Sequence, residues 1–113
     1  MQRDRLYVVD MIRVCTRIIE LTTDRDTAAI ELDAASHEAL LWNFTVLGEA
    51  SAQISEETRA AHPQVPWRRA ASMRNRIIHG YWSADTDILV TTAHEVIPGM
   101  LTLLPEVLAD LPE

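Results

Sequence analysis

Apolar residues recur at steps of three and four along most of this 113-residue chain, and this spacing constrains the fold more than any other feature. It predicts amphipathic α-helices, because a helix returns to the same face every third or fourth residue. No stretch alternates apolar and polar residues as a half-buried strand does. We therefore predict an all-α fold, an up-and-down bundle of four to five helices, in a single domain over residues 1–113.

The pattern predicts helices over residues 3–21, about 34–60 and 66–79, and a last helical region capped by Ser83 or Asp85. The intervening residues 22–33 read as a loop with one short turn near 27–31, and the proline-rich residues 62–66 as a connector. Gly48 interrupts the second helix and costs about 1 kcal/mol of helix propensity relative to Ala, so we expect a neighbouring helix to approach it closely. Pro98 should kink or divide the last region, and Pro105 is a second candidate break.

One window of the chain is basic in an otherwise acidic protein. Residues 58–84 contain five arginines and no acidic residue, whereas the other five arginines share the rest of the chain with all 17 acidic residues. Such a local positive potential suits a phosphate-bearing partner. A basic helix face paired with acidic neighbours would explain the same charges, so charge alone leaves both interpretations open.

Arg74 and His79 lie in this window and have complementary chemistry. An imidazole moves protons near neutral pH and a guanidinium binds phosphate, so together they could cleave RNA without a metal. Because they are five residues apart, they point about 140° away from each other on a regular helix, while Asn75 and Arg76 share the face of His79. Either the helix loosens near Gly80, or a second copy of the chain completes the site, as a two-fold dimer would.

The run Arg74-Asn75-Arg76-Ile77-Ile78-His79-Gly80-Tyr81 resembles the motif of the HepT toxin family of the HEPN superfamily, in which Arg, four residues, His, one residue and Tyr follow each other. Pro66-Trp67 before this run and Leu47-Gly48-Glu49-Ala50 on the preceding helix fit the same family pattern. The resemblance implies an all-helical, HEPN-like homodimer with the motif helix at its interface. It also implies a metal-independent endoribonuclease, the toxin of a toxin-antitoxin pair.

The same resemblance implies roles for individual residues. Arg74 and His79 would be the catalytic pair, and Tyr81 the residue that an antitoxin, a nucleotidyltransferase of the MntA type, modifies with AMP. Supporting or RNA-binding roles are expected for Asn75, Arg76, Arg68, Arg69, Asn43 and Glu49. From the residues alone, Asn43 and Glu49 could be ordinary surface residues, and the family pattern favours a supporting role. Trp42 departs from the pattern, because relatives often carry a charged residue there.

Other sites and compartments find little support in the sequence. Cys15 is the single cysteine and lies on an apolar helix face, which predicts a buried free thiol. The four histidines lack the paired spacing of metal ligands, so we expect no metal and no cofactor. Uncharged runs fall far short of the ~20 apolar residues of a membrane span, and the amino terminus does not resemble a signal peptide. We expect a cytoplasmic protein without membrane contact.

Two further interpretations belong to other functional classes. The chain could be a non-catalytic module that binds a nucleotide or a nucleotidyltransferase through the same basic surface. It could also be a helical dimerisation domain whose basic patch faces acidic residues of its partner subunit. RNA cleavage that depends on Arg74 and His79 would separate the ribonuclease from both.

Overall fold

The computed structural model describes residues 3–80 and 86–112, and these residues form α-helices and no strand. Five longer helices make up the bundle: α1 (Asp4–Thr22), α3 (Ala34–Gln53), α5 (Trp67–His79), α6 (Thr86–Glu95) and α7 (Ile97–Asp110). Two helices of six residues each, α2 (Thr27–Leu32) and α4 (Glu56–Ala61), lie in the connections. The predicted all-α class is confirmed for these residues. The predicted caps Ser83 and Asp85 lie outside them.

Helix α3 is the centre of the bundle, because it packs extensively against both α1 and α5, while α7 covers the other side of α1. Phe44, Leu40 and Leu47 of α3 are fully buried, as the helical spacing predicts. They join Met11 and Met100 in one hydrophobic cluster that draws on the five longer helices. The buried stripe of α3 thus fixes the position of α5, the helix that carries the motif.

Gly48 is the point at which α5 crosses α3. A Cβ atom added there would collide with the Cβ of Arg74 and would lie 2.9 Å from the backbone oxygen of Ala70. The missing side chain therefore allows the two backbones to approach each other, as a glycine at a helix crossing does. The expected close approach is confirmed, and it places Arg74 directly over the middle of α3.

The second predicted helix was too long at its carboxy-terminal end. α3 stops at Gln53, and Ser55 caps α4 by accepting a hydrogen bond from the backbone N–H of Thr58 at 3.2 Å. Asp4 of α1 reinforces this break, since its carboxylate accepts hydrogen bonds from both hydroxyls and from the backbone N–H of Ser55 at 2.9 Å. Burial disfavours the charged carboxylate, but these hydrogen bonds outweigh it and hold the pKa of Asp4 below its ordinary value.

Proline has different effects at its two positions in the last region. α6 ends at Glu95 and α7 begins at Ile97 with a bend of 54°, so Pro98 sits in the first turn of a new helix, where its missing N–H costs nothing. The predicted division at Pro98 is confirmed. The prediction of a second break at Pro105 is wrong, because α7 continues through this residue to Asp110.

The structure also locates the residues that the sequence placed outside the motif. Cys15 is buried, as predicted, and burial raises the pKa of its thiol to about 12. His62 of the connector is buried, and its carbonyl oxygen accepts a hydrogen bond from Trp67 Nε1 at 2.9 Å. In the part of the chain that is described, no single helix has the length and apolar character to cross a membrane, and only α6 and α7 counted together as one bent pair do.

Candidate active site

Helix α5 separates its packing residues from its polar residues. Trp67, Ala70, Met73 and Ile77 are buried against the bundle. The polar side is exposed along the whole helix, and it carries Arg68, Arg69, Ser72, Asn75, Arg76 and His79. The start of α5 is fixed by Trp67, whose carbonyl oxygen accepts a hydrogen bond from Ser51 Oγ of α3 at 2.7 Å. A rigid helix therefore presents the basic side chains to solvent.

Arg74 lies at the border between these two sides and is held by two neighbours. Its Nη1 donates to both carboxylate oxygens of Glu49, at 3.2 and 3.0 Å. Its Nη2 donates to Oδ1 of Asn75 at 2.7 Å. Since Glu49 and Arg74 are both partly exposed, the ion pair contributes only about 0–1 kcal/mol to stability. Its main effect is to fix the direction of the guanidinium.

The guanidinium of Arg74 keeps hydrogen-bonding capacity in this arrangement. Its Nε is buried and has no hydrogen-bond partner among the described residues. An Arg side chain has five N–H groups, and the contacts to Glu49 and Asn75 use only part of those on Nη1 and Nη2. The side chain is therefore oriented but not saturated, and the remaining N–H groups of Nη1 and Nη2, rather than the buried Nε, can donate to an anion.

His79 is exposed at the carboxy-terminal end of α5, and its ring makes no hydrogen bond within residues 3–80 and 86–112. The helix does not loosen before it, because the backbone N–H of Gly80 still bonds to the carbonyl oxygen of Arg76 at 3.1 Å. On this regular helix Arg74 and His79 point about 140° apart. The sequence left two ways to bring Arg74 and His79 together, a helix that loosens near Gly80 or a second copy of the chain. Since the helix does not loosen, a second chain would have to complete the pair.

A groove of about 300 Å³ opens beside Arg74 between α1, α3 and α5. Its lining is mainly apolar and consists of Tyr7, Asp10, Trp42, Thr45, Val46, Glu49, Ala50, Arg74 and Ile78. Two of these apolar side chains are largely solvent-exposed, Trp42 at 67% and Ile78 at 50%. Large exposed apolar side chains next to each other are typical of an interaction surface.

The other predicted site residues are distributed along α3 and α5. Glu49 reaches the motif helix through Arg74, whereas Asn43 is buried and its Nδ2 donates to the carbonyl oxygen of Ala39 in its own helix at 2.8 Å. The structure thus brings Asn43 into no hydrogen bond with α5 among the described residues. Arg68 and Arg69 lie at the opposite end of α5 from His79. Tyr81 lies outside the described residues.

Sequence reasoning did not find the part of the groove that α1 contributes. Tyr7 and Asp10 are far from the motif in sequence, and only the packing of α1 on α3 brings them close to Arg74. In the sequence they read as ordinary positions of an amphipathic helix, so no local signal marked them. Across residues 3–80 and 86–112, no three His, Cys, Asp or Glu side chains are grouped as metal ligands would be.

Known proteins that resemble this chain are named as ribonucleases. The family described as "Ribonuclease HepT-like" matches residues 11–107. A protein of Thermococcus cleftensis named "Probable ribonuclease HepT" is 31% identical over 94 residues, which are 83% of this chain and 86% of the relative. A "Putative RNase" of Caldanaerobacter subterraneus is 27% identical over 108 residues, 96% of each chain, and one of Methanocaldococcus jannaschii is 25% identical over 107 residues, 95% of this chain and 88% of the relative. No solved structure matches the chain.

Proposed function

The protein belongs to the HepT-like ribonuclease family, as its motif predicts, and from this premise we propose that it is a metal-independent endoribonuclease whose catalytic pair is Arg74 and His79. One observation carries the proposal: Glu49 and Asn75 orient Arg74 on the same helix that exposes His79 with a ring free of hydrogen bonds to the described residues. An oriented guanidinium and an accessible imidazole are the two groups that RNA cleavage without a metal requires.

The chemistry uses the 2′-hydroxyl of RNA as the nucleophile. His79 as a neutral imidazole removes the proton from this hydroxyl while the 2′-oxygen attacks the adjacent phosphorus. The bond from phosphorus to the 5′-oxygen breaks, and the leaving oxygen takes up a proton, which leaves a cyclic phosphate on one product and a 5′-hydroxyl on the other. Arg74 donates hydrogen bonds to the phosphate oxygens, on which negative charge accumulates in the transition state.

The active form in this proposal is a homodimer with α5 at its interface. Arg74 and His79 of one chain point apart on a regular helix, so a two-fold axis close to α5 would bring Arg74 of one chain to His79 of the other. The exposed Trp42 and Ile78 support this location for the interface, because they form an apolar surface beside Arg74. In such a dimer each site holds one Arg74 and one His79 from opposite chains, and solvent water supplies the proton that the leaving oxygen takes up.

We propose further that the protein is the toxin of a toxin-antitoxin pair and that an MntA-type nucleotidyltransferase silences it by transferring AMP to Tyr81. Tyr81 follows His79 by two residues in the sequence. An AMP group there would bring a bulky, negatively charged phosphodiester close to the imidazole, and it would repel an RNA phosphate. The modification would therefore block binding at the site without changing Arg74 or His79.

The experiment that tests the ribonuclease is RNA cleavage by the purified protein with EDTA present. We expect the wild-type protein to cut, and His79→Ala and Arg74→Ala each to lose at least 100-fold in kcat, because each removes a group that acts in the transition state. Arg13→Ala, which neutralises an exposed arginine of α1 paired with Asp10 at 3.4 Å, is the matched control and should keep full activity. Circular dichroism checks that each variant is folded.

A folded wild-type protein that leaves RNA intact would contradict the ribonuclease and favour a non-catalytic binding module. One observation favours that second candidate, since the exposed Trp42 and Ile78 form an apolar surface beside Arg74 that is typical of a binding site for a partner. Binding of a nucleotide or a nucleotidyltransferase by such an inactive protein would support it. Loss of this binding in Arg74→Ala would then locate the surface.

A further inference from the structure

A second basic cleft lies at the other end of α5, where α4 and the proline-rich connector meet it. Its volume is about 670 Å³, and its lining residues are Glu56, Arg59, Ala60, Pro63, Val65, Pro66, Trp67, Arg68 and Arg69. Three guanidinium groups therefore face the cleft with one carboxylate. This end of α5 also carries the partial positive charge of the helix dipole, which adds to the attraction for an anion.

Among the described residues, six of the ten arginines form no ion pair with a carboxylate, and three of these six meet at this cleft. Arg13, Arg17, Arg25 and Arg74 each form an ion pair with an Asp or Glu. Within the described residues, Arg59, Arg68 and Arg69 form none, although the protein as a whole has a net charge of −7 and offers many carboxylates. All three are exposed and hydrated, and Arg59 also interacts electrostatically with the carboxylate of Asp4, but together they give the cleft a positive potential that attracts an anion.

The exposed side of α5 connects this cleft to His79. At about 100° per residue, Arg69, Ser72, Arg76 and His79 fall within roughly 80° of one another, and all four are exposed. The ten residue steps from Arg69 to His79 correspond to about 15 Å along the helix. This side contains no acidic residue, so a positive surface runs from the cleft to the imidazole.

We propose that the cleft lined by Arg59, Arg68 and Arg69 is a distal phosphate-binding site, which holds the backbone of an RNA strand several nucleotides from the bond that is cut. The proposal rests on the ribonuclease function and adds a requirement for substrate length. A stacked strand advances about 3.4 Å per nucleotide, so about 15 Å corresponds to roughly four nucleotides. Shorter RNA would reach His79 but would lose the contacts in the cleft.

The lining of the cleft favours a nucleic acid backbone over an acidic protein. Protein interfaces are centred on exposed aromatic or large apolar side chains that become buried in the partner. Among residues 3–80 and 86–112 the large exposed apolar side chains are Leu6, Val9, Leu32, Trp42 and Ile78, and none of them lines the cleft. Val65 and Trp67 line it but are buried in the bundle. Phosphate binding needs only the cations, and RNA supplies phosphates at regular intervals.

The test is binding of single-stranded oligoribonucleotides of 3 to 12 nucleotides to full-length protein carrying His79→Ala, so that no RNA is cut during the measurement. The dissociation constant is measured by fluorescence anisotropy at several salt concentrations. A triple variant with Arg59→Ala, Arg68→Ala and Arg69→Ala is compared with the double variant Arg13→Ala and Arg17→Ala, which removes exposed arginines of α1. A third variant with Lys at the three cleft positions keeps the charge.

Each phosphate contact to single-stranded RNA contributes about 0.7 to the slope of log K against log salt, which is about fivefold in affinity at 0.1 M salt. We expect the triple Ala variant to lose about 2 in slope and about 100-fold in affinity for the 12-nucleotide RNA. Its affinity for 3-nucleotide RNA should fall by much less, because so short a strand can bind at the cleft or at Arg74 but cannot contact both at once. The Lys variant should keep most of the slope, and the α1 variant should match the parent protein.

These measurements can contradict the distal phosphate-binding site without contradicting the ribonuclease function, and the reverse. An unchanged slope in the triple Ala variant, or an equal loss for short and long RNA, would overturn the distal site even if the wild-type protein cuts RNA. A loss restricted to long RNA would support the site even if no cleavage is found. Unchanged RNA binding together with lost binding of an acidic protein partner would assign the cleft to that partner and also overturn the proposal.

Discussion

At the scale of single residues, the central contact is the one between Glu49 and Arg74. The sequence marks both residues through the family pattern, but it contains no information on their distance, because 25 residues separate them. The contact arises from the crossing of α5 over α3, which is a property of packing. The structure therefore adds a role that can be tested: Glu49 and Asn75 orient Arg74.

Removing the carboxylate of Glu49 should lower kcat for RNA cleavage and leave KM nearly unchanged. Glu49→Ala frees Nη1 of Arg74, so the guanidinium samples other directions, and a loss on the order of tenfold in kcat is expected for a poorly positioned group. Glu49→Gln should lose less, because its amide oxygen still accepts a hydrogen bond. Glu20→Ala is the control, since Glu20 pairs with Arg17 on α1 at 3.5 Å. Increased kcat in either Glu49 variant would instead identify Glu49 as a restraint on catalysis.

Asp4 gives a prediction on stability and pH. Its carboxylate ties α1 to the cap of α4, so Asp4→Asn should reduce the free energy of unfolding at pH 7 by about 1–3 kcal/mol, the usual effect of losing hydrogen bonds to a charged group. The pKa of Asp4 is lowered by folding. The contribution of the ionised carboxylate to the free energy of unfolding is therefore complete above the unfolded pKa of about 3.9, and it is lost as the pH falls through the pKa of the folded state.

Urea unfolding of wild type and Asp4→Asn at pH 7 and near pH 2.5 measures this contribution. The difference between the two proteins should shrink at the lower pH. Asp10→Asn serves as the control, because Asp10 forms only an exposed ion pair with Arg13. A difference that stays constant across this range would show that the charge of Asp4 does not stabilise the fold.

At the scale of helices, the spacing of apolar residues predicted where the helices lie more accurately than where they end. The period of apolar residues located α1 and α5 within one residue at each end, because both helices have a clear buried face. The same pattern predicted an end of α3 that is too late in the sequence. Ser55 accepts a hydrogen bond from the backbone N–H of Thr58 and interrupts a segment whose apolar spacing is helical throughout. Capping of this kind depends on one side chain, and here it also depends on Asp4, 51 residues away.

The crossing of α3 and α5 at Gly48 gives a prediction at this scale. Gly48→Ala should destabilise the protein by about 1–3 kcal/mol, because the added methyl group collides with Arg74 and its effect exceeds the gain of about 1 kcal/mol in helix propensity. It should also lower cleavage by displacing Arg74. Thermal unfolding and RNA cleavage measure the two effects.

Gly99 is a matched control in α7, because a Cβ added there meets nothing within 4 Å. Gly99→Ala should keep activity and raise stability by up to about 1 kcal/mol. Similar effects of the two substitutions would mean that the close approach at Gly48 does not hold α5 in place.

At the scale of the whole molecule, the residue pattern predicted the fold class, whereas a homodimer with the motif helix at its interface was implied only by the family resemblance and stays a prediction. The spacing of Arg74 and His79 already required either an irregular helix or a second chain. The structure removes the first possibility, since α5 stays regular through His79. The apolar surface that Trp42 and Ile78 form beside Arg74 was not predictable, because their exposure depends on how α1, α3 and α5 pack together.

Mixing two inactive variants tests most directly whether Arg74 and His79 act across a dimer interface. Arg74→Ala and His79→Ala are each purified, unfolded together in a 1:1 ratio and refolded, and RNA cleavage is measured with EDTA present. A mixed dimer contains one intact Arg74 and one intact His79 on opposite chains, so the account predicts recovery of about a quarter of wild-type activity, because half of the dimers are mixed and each has one complete site. A refolded dimeric mixture as inactive as either variant alone would contradict it.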